Sequence, residues 1–310
     1  MRVLLAGGTG FVGIHLVRAL VARGDTVTVL TRNVAEARKN LPRECRVAYW
    51  EPGKKGPWYE EVSFVDAVIN LAGTPVAQRW TDSVKLSIKE SRLQATNSLV
   101  EAIELAGESR SRNAHRPAVL INASAVGYYG ASTSGVVEES AEAGVGFLAD
   151  VCKDWEQAAA SAEKLGVRVV RLRIGVVLGK GGGVLTRMVA PLGAFVAGPI
   201  GKGDNVVSWV HVDDVVGITL WALENDSVSG AINGTSPFPT TGKQLAESMA
   251  SVLGKRALSV PELFVRPVLG EMIEVIVGSQ NVYPQRAVEL GYEYHHARLV
   301  PALEQALASE

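Results

Sequence analysis

The feature that most constrains this chain is a run of glycines placed directly behind its first apolar segment. Val3-Leu4-Leu5-Ala6 reads as a short strand. Gly7-Gly8-Thr9-Gly10-Phe11-Val12-Gly13 follows without a spacer and opens a helical pattern over residues 11–23. In the spacing Gly7-x-x-Gly10-x-x-Gly13, the first glycine permits the tight turn out of the strand. The second lets a pyrophosphate approach the backbone, and the third lets helix and strand pack closely. Free N–H groups and the positive end of the helix dipole then favour phosphate. A glycine-rich turn without a ligand is the alternative. The strand before the triplet and the helix after it favour a dinucleotide, with Gly7, Thr9, Gly10, Phe11, Val12 and Gly13 as the expected cradle.

The next strand, residues 26–30, ends at Leu30-Thr31-Arg32-Asn33. A chain selecting NAD usually carries Asp or Glu about 20 residues beyond the glycines, to accept from the ribose 2′-hydroxyl. Thr31 and Arg32 stand there instead. A guanidinium attracts a 2′-phosphate that a carboxylate would repel, so NADP(H) is the expected cofactor. Arg32 as an ordinary solvated charge is the alternative.

Further strands are expected at residues 46–50, 67–71, 119–123 and 167–174, with helices at 82–106 and 147–165. Strands alternating with helices predict an α/β fold with a Rossmann-type doubly wound parallel sheet. The unbroken apolar character of residues 3–6 and 119–121 fits strands covered on both faces. The pattern changes after Gly179. Lys180-Gly181-Gly182-Gly183 reads as a flexible loop, and Gly198-Pro199-Ile200-Gly201-Lys202-Gly203 as a second turn-rich segment bordering a cleft. Helical patterns at 242–253, 265–277 and 298–307 predict a small, mainly helical C-terminal substrate or cap region. The expected division is 1–234 for the cofactor-binding domain, with substrate-region insertions from about 175, and 235–310 for the C-terminal domain.

Composition removes several function classes. The 310 residues are 47% hydrophobic and 20% charged, as a soluble globule with a full core requires, so a disordered or fibrous chain is excluded. Lys plus Arg (31) balances Asp plus Glu (32), which argues against a nucleic-acid partner. The uncharged run over residues 188–201 falls short of the ~18 residues of a membrane span and holds Pro191 and Pro199, so no membrane partner is expected. Residues 3–6 are too short for a signal-peptide core of roughly 7–15 residues. A cytoplasmic location is expected, or a plastid stroma if a transit peptide has been removed. Cys45 and Cys152 form no CxxC or ligand spacing, so neither a disulfide scaffold nor a metal centre is expected. A monomer or homodimer binding a small-molecule substrate fits these bounds, with a protein partner as a further option.

These segments resemble the extended short-chain dehydrogenase/reductase superfamily. The glycine loop, Asn70-Leu71-Ala72-Gly73, Ser124 and Trp209-Val210-His211-Val212-Asp213-Asp214 carry the likeness. More narrowly, the chain resembles an atypical family described as nucleotide-sugar epimerases with an additional C-terminal domain of unknown function, also labelled cell-division inhibitor-like. The narrow signature is Arg79-Trp80-Thr81, Ser91-Arg92, Ser124-Ala125-Val126-Gly127-Tyr128-Tyr129-Gly130, Val151-Cys152-Lys153-Asp154-Trp155-Glu156 and Gly198-Pro199-Ile200-Gly201. Leu269-Gly270-Glu271-Met272 and Gly278-Ser279-Gln280-Asn281-Val282-Tyr283-Pro284 complete it. The resemblance spans nearly the whole chain. It adds Leu71, Ala72, Gly73, Ser124 and Ile174 to the expected cofactor contacts and implies an NADP(H)-linked oxidoreductase or epimerase.

In the superfamily a Tyr acts as general acid/base, a Lys four residues on lowers its pKa and holds the ribose, and a Ser orients the reacting oxygen. Alignment through Glu156 puts Leu148 at the Tyr place and Cys152 at the Lys place, and neither can play those parts. The remaining candidates are Ser124, Tyr129, Tyr128 and His211. Either Tyr, with an ordinary pKa of about 10, needs a cation or hydrogen bonds to act near neutral pH. Core packing is the alternative for both. His211 could titrate and face substrate, or serve structurally at the start of a helix. Cys152 reads as a small buried hydrophobe with no His or assured cation beside it. Leu148, Val151 and Trp155 are expected to share a face packed on the sheet, and His295 and His296 read as surface. A non-catalytic NADP(H)-binding protein acting through a partner is the rival reading.

Overall fold

The computed structural model describes residues 1–189 and 195–308, so residues 190–194 of the uncharged run lie outside the described residues. Seven strands form one parallel sheet: β1 (Arg2–Ala6), β2 (Thr26–Thr31), β3 (Arg46–Tyr49), β4 (Ala67–Asn70), β5 (Val119–Ala125), β6 (Arg168–Ile174) and β7 (Gly230–Gly234). Their order is β7-β6-β5-β4-β1-β2-β3. The first six match the sequence reading within two residues at each end. The seventh was not anticipated, because Gly230-Ala231-Ile232-Asn233-Gly234 has little of the β-branched character that marks a strand.

The apolar runs are explained by burial on both faces. Val3, Leu5, Val27, Val29, Ile69 and Ile121 join a core with α1 (Phe11–Ala22) and α5 (Val212–Glu224). Leu4, Ala6, Leu30, Val68 and Leu120 face a second core with α3 (Asp82–Ala106) and α4 (Phe147–Ala160). Alternate residues of each strand thus go to opposite layers. The Asn33 side chain caps α2 (Val34–Asn40) by accepting from the Glu36 N–H at 3.1 Å. The Thr81 hydroxyl caps α3 from the Val84 N–H at 3.3 Å. The α4 helix stops at Ala160 and continues to Leu165 as a 3-10 segment, shorter than the single helix expected.

The C-terminal part is less purely helical than expected. Arg256–Val260 pairs in parallel with Phe195–Ile200, joining the two halves of the chain. The pattern over residues 265–277 is broken into Glu262–Leu269 and Ile273–Val277 by Gly270, whose φ of 57° leaves helical space. Helices α6 (Gly242–Val252) and α7 (Leu299–Leu307) place Leu245, Met249, Ala302 and Leu303 in one core with Leu178 and Trp209. Lys180–Gly183 is not a free loop. A Cβ on Gly182 would sit 2.3 Å from Phe11 Cδ2, so the segment lies directly on the start of α1.

Candidate cofactor and substrate site

The sheet order reverses between β1 and β4, where ligands of doubly wound folds bind beyond the carboxyl ends of the strands. The glycine loop follows β1 and Leu71-Ala72-Gly73 follows β4, and the two loops touch. A Cβ on Gly7, whose φ is 82°, would sit 2.6 Å from the Leu71 carbonyl carbon and 2.8 Å from the Ala72 nitrogen. A Cβ on Gly13 would sit 2.2 Å from Gly7 O and 2.7 Å from Gly8 Cα, so loop and helix pack closer than any side chain allows. Gly10 differs. Its Cβ would approach only Gly7 O, at 3.3 Å, and its backbone is extended, with φ −78° and ψ 172°. Space therefore stands open at the N-terminus of α1 where a phosphate needs backbone N–H groups, and these residues fit a dinucleotide. Thr9 and Gly10 are exposed, and Phe11 and Val12 half-buried.

A buried amide network holds the β4 loop. Asn70 Nδ2 donates to Asn122 Oδ1 at 2.7 Å and to Thr96 Oγ1 at 3.0 Å, while Asn70 Oδ1 accepts from the Ala72 N–H at 3.1 Å. Trp155 Nε1 donates to the same Thr96 oxygen at 2.9 Å. At the end of β2, Thr31 is half-buried and Arg32 exposed, and Arg32 makes no hydrogen bond or salt bridge with a described residue. Ile174 is half-buried at the end of β6.

Ser124 leads into a second network. Its hydroxyl donates to Glu156 Oε1 at 2.6 Å, and Glu156 takes a two-pronged pair from Arg173 at 2.8 and 2.9 Å. Arg173 Nη1 donates to the Tyr129 hydroxyl at 2.8 Å, which donates to Asn233 Oδ1, also at 2.8 Å. Tyr129 is buried, and burial outweighs the nearby guanidinium and pushes its pKa up to about 12. Tyr128 lies half-buried under the Arg173 guanidinium, 3.5 Å from its ring centre. It lines a cavity of about 580 Å³ with Arg171 and Arg286, over the β6–β7 edge. The two tyrosines are thus adjacent but committed differently, Tyr129 by its hydroxyl and Tyr128 by its ring face.

His211 has no exposed surface. Its Nδ1 accepts from the Asp213 N–H at 3.2 Å, capping α5, and its Nε2 is buried with no hydrogen bond of normal geometry to a described residue, the Gln305 side chain being its polar neighbour. Burial and the neighbouring His296 ring lower its pKa. The expectation that both His295 and His296 lie at the surface is corrected. His295 is exposed, but His296 packs 4.1 Å from the His211 ring and reaches Asp213 Oδ2 at 3.3 Å. The chain folds back here because Asp214 accepts from the His295 and His296 N–H groups at 2.7 and 2.9 Å. His211, Asp213 and His296 are a group of the described residues whose ligand atoms lie within 4.8 Å of one another.

The helix carrying the altered pair packs differently from expectation. Leu148 and Val151 face Trp80, Ile88 and Met272 across α3 and the C-terminal segment, and Cys152 and Glu156 are buried as well. The Cys152 pKa is pushed up to about 11 by burial and by the Glu156 charge. One cation that the sequence did not assure acts on Cys152 and favours its thiolate. Arg92 of α3 acts on the thiol electrostatically and stacks 4.9 Å from the Trp155 ring. Periodicity could not expose the Glu156–Arg173 pair or the approach of Arg92, since each joins elements distant in sequence. Ser91-Arg92 and Asp154-Trp155-Glu156 in the family-like signature were the only signals.

Comparison with known proteins gives this arrangement its relatives. The NAD dependent epimerase/dehydratase family matches residues 3–233, and a domain of unknown function (DUF1731) matches residues 260–306. The chain belongs to the NAD dependent epimerase/dehydratase family. It is 40% identical to the chloroplastic epimerase family protein SDR39U1 homolog of Arabidopsis thaliana, over 98% of this chain and 86% of that one. It is 35% identical to the epimerase family protein YfhF of Bacillus subtilis, over 99% and 98% of the two chains. The crystal structure of human epimerase family protein SDR39U1 (isoform 2) with NADPH superposes with a TM-score of 0.82 at 30% identity, covering 99% of each chain. Among the described residues no helix is long and apolar enough to cross a membrane.

Proposed function

We propose that this member of the family binds NADP(H) and acts as an oxidoreductase or epimerase on a small carbonyl, hydroxyl or sugar-nucleotide substrate. The observation that carries the reading is the contact between the two loops at the sheet's reversal point, with Gly10 alone of the triplet left open outward. Gly7, Thr9, Gly10, Phe11, Val12 and Gly13 would hold the pyrophosphate, and Thr31 with Arg32 the adenosine 2′-phosphate. Leu71, Ala72, Gly73, Ser124 and Ile174 would line the remainder. The human relative solved with NADPH supports the 2′-phosphate form. Residues 1–234 carry the cofactor, and residues 235–310 cap the cleft.

When bound, the nicotinamide supplies or accepts a hydride. With its own proton held by Glu156, Ser124 would accept from a substrate hydroxyl; towards a carbonyl oxygen it would first have to release Glu156. Tyr129 and His211 hold structure, since the Tyr129 hydroxyl is committed to Arg173 and Asn233 and the His211 Nδ1 caps α5. The proton then exchanges with water or the Tyr128 hydroxyl. The lock on Ser124 is also the observation that favours the rival reading, a cofactor-binding protein acting through a partner. Two measurements test the proposal. NADPH should bind at least about tenfold more tightly than NADH, with Arg32→Ala removing the preference. Loss of 340 nm absorbance with a carbonyl or sugar-nucleotide panel separates enzyme from binder. Equal affinity for both cofactors in the wild type refutes the NADP(H) assignment.

A further inference from the structure

Two imidazoles and a carboxylate meet where α5 begins and the C-terminal chain folds back onto it. Asp213 Oδ2 lies 3.5 Å from His211 Nδ1 and 3.3 Å from His296 Nε2, and the three ligand atoms fall within 4.8 Å of one another. Among the described residues these two imidazoles are the only charge partners of Asp213. Bonds of about 2.0–2.1 Å to a tetrahedral Zn²⁺ put neighbouring ligand atoms about 3.3–3.4 Å apart, so two of the three edges are nearly set.

The contact between His211 and Asp213 is the informative one. A backbone N–H can only donate, so His211 Nδ1, which accepts from the Asp213 N–H at 3.2 Å, carries no proton. Its 3.5 Å approach to the Asp213 carboxylate therefore sets one acceptor against another with no hydrogen between them. A proton on His296 satisfies the carboxylate on that side alone. A cation among the three atoms turns the opposition into attraction. It takes the Nδ1 lone pair from an N–H bond already at the long end of the range. The released N–H belongs to the first turn of α5 at a half-buried residue, where water can serve it.

The surroundings hold the ligands and leave access. His211 Nε2 has the Gln305 side chain of α7 as its polar neighbour, the kind of outer contact that orients a ligating imidazole. Asp214 fixes the backbone of His295 and His296 and is itself held by the Tyr292 hydroxyl at 3.2 Å. Asp213 and His296 border a cavity of about 570 Å³ between α1 and α5, also lined by His15 and His295, with room for water as a fourth ligand. Four of the chain's five histidines thus gather at one junction, and no Lys or Arg is among the described residues lining the cavity to compete for the carboxylate. The cysteine spacing that argued against a metal centre has no bearing on imidazole ligands.

We propose that His211, Asp213 and His296 bind a divalent transition-metal ion of the Zn²⁺ type, which ties the C-terminal part of the chain to the start of α5. The inference does not rest on the cofactor reading.

The test uses the full chain without a histidine tag, stripped with EDTA, dialysed and titrated with ZnCl₂ by calorimetry at pH 7.5, with MgCl₂ as the hard-ion control. One Zn²⁺ per chain with a Kd of about 10 μM or tighter is expected, and no saturable Mg²⁺ binding. His296→Gln and Asp213→Asn should each weaken Zn²⁺ at least about tenfold, whereas His295→Gln should stay within about threefold of wild type. Zn²⁺ at about a hundredfold over Kd should raise the wild-type Tm by about 4 °C, and that of His296→Gln by about half as much or less. If neither ligand variant folds, the wild type carries the test: Zn²⁺ should slow diethyl pyrocarbonate labelling of His296 at least about tenfold, read by peptide mass spectrometry. No saturable Zn²⁺ binding overturns the proposal, as does unchanged Zn²⁺ affinity in a folded ligand variant, or His296 labelling that Zn²⁺ leaves unslowed. An equal loss in His295→Gln would place the ion elsewhere and also overturn it. Mg²⁺ bound as tightly as Zn²⁺ would mark a carboxylate site and do the same.

Discussion

Substituting the second and third glycines of the phosphate loop should separate binding from folding. Gly13→Ala places a Cβ 2.2 Å from Gly7 O and 2.7 Å from Gly8 Cα, both backbone atoms that cannot swing away. Ordinary contact is near 3.5 Å, so loop or helix must move by about 1 Å, at the roughly 1–3 kcal/mol of an overpacked site. The better helix propensity of alanine offsets about 1 kcal/mol of that. With an unfolding entropy of about 2.1 cal/mol/K per residue, each kcal/mol shifts Tm by about 1.5 °C in a chain of this length. Gly13→Ala should therefore lose up to about 3 °C, and NADPH binding with it. Gly10→Val meets only Gly7 O at 3.3 Å, at a φ of −78° open to any residue. Its Tm should stay within about 1.5 °C of wild type. NADPH affinity should nevertheless fall at least about tenfold, because the isopropyl group takes the phosphate's place over the helix N-terminus. Differential scanning calorimetry and fluorescence titration with NADPH measure the two quantities. Wild-type affinity in Gly10→Val refutes the phosphate-loop reasoning, and a raised Tm in Gly13→Ala refutes the steric argument.

The Glu156–Arg173 pair has only 5% exposure on either side chain, so Glu156→Gln leaves a buried guanidinium uncompensated and should cost about 3–5 kcal/mol in urea unfolding. A stability equal to wild type would show the network to be dispensable. Cys152, with its pKa near 11, should alkylate far more slowly at pH 7.5 than a free thiol, and NADPH should change that rate little. Fast labelling that the cofactor blocks would contradict this. Burial and His296 lower the folded pKa of His211, so the unfolded chain binds the proton more readily. Stability is then lost as pH falls through the unfolded value of about 6.5, by at most about 1.4 kcal/mol per pH unit. His211→Gln should flatten that limb of the stability–pH curve, and an unchanged slope would assign it to other groups.

Local chemistry determined much of this protein without any tertiary information. The strand, the glycine triplet and the helix behind it are contiguous, and spacing alone predicted the close packing found at Gly7 and Gly13. Unbroken apolar runs such as 3–6 and 119–121 required a sheet covered on both faces, and Thr31-Arg32 set the charge at the end of β2. Strand β7 escaped because its pairing with β6, rather than its own residues, makes it a strand. Tertiary structure alone decided which polar groups meet. Tyr129, 104 residues before Asn233, becomes a hydrogen-bonded core residue, and Ser124 gives its proton to Glu156, 32 residues on. Arg92 comes to Cys152 only because α3 and α4 pack side by side, as the Trp155 contact shows. Periodicity encodes which face of an element is buried. It carries no record of what the opposing element presents to that face, and charge compensation in a low-dielectric site depends on that pairing.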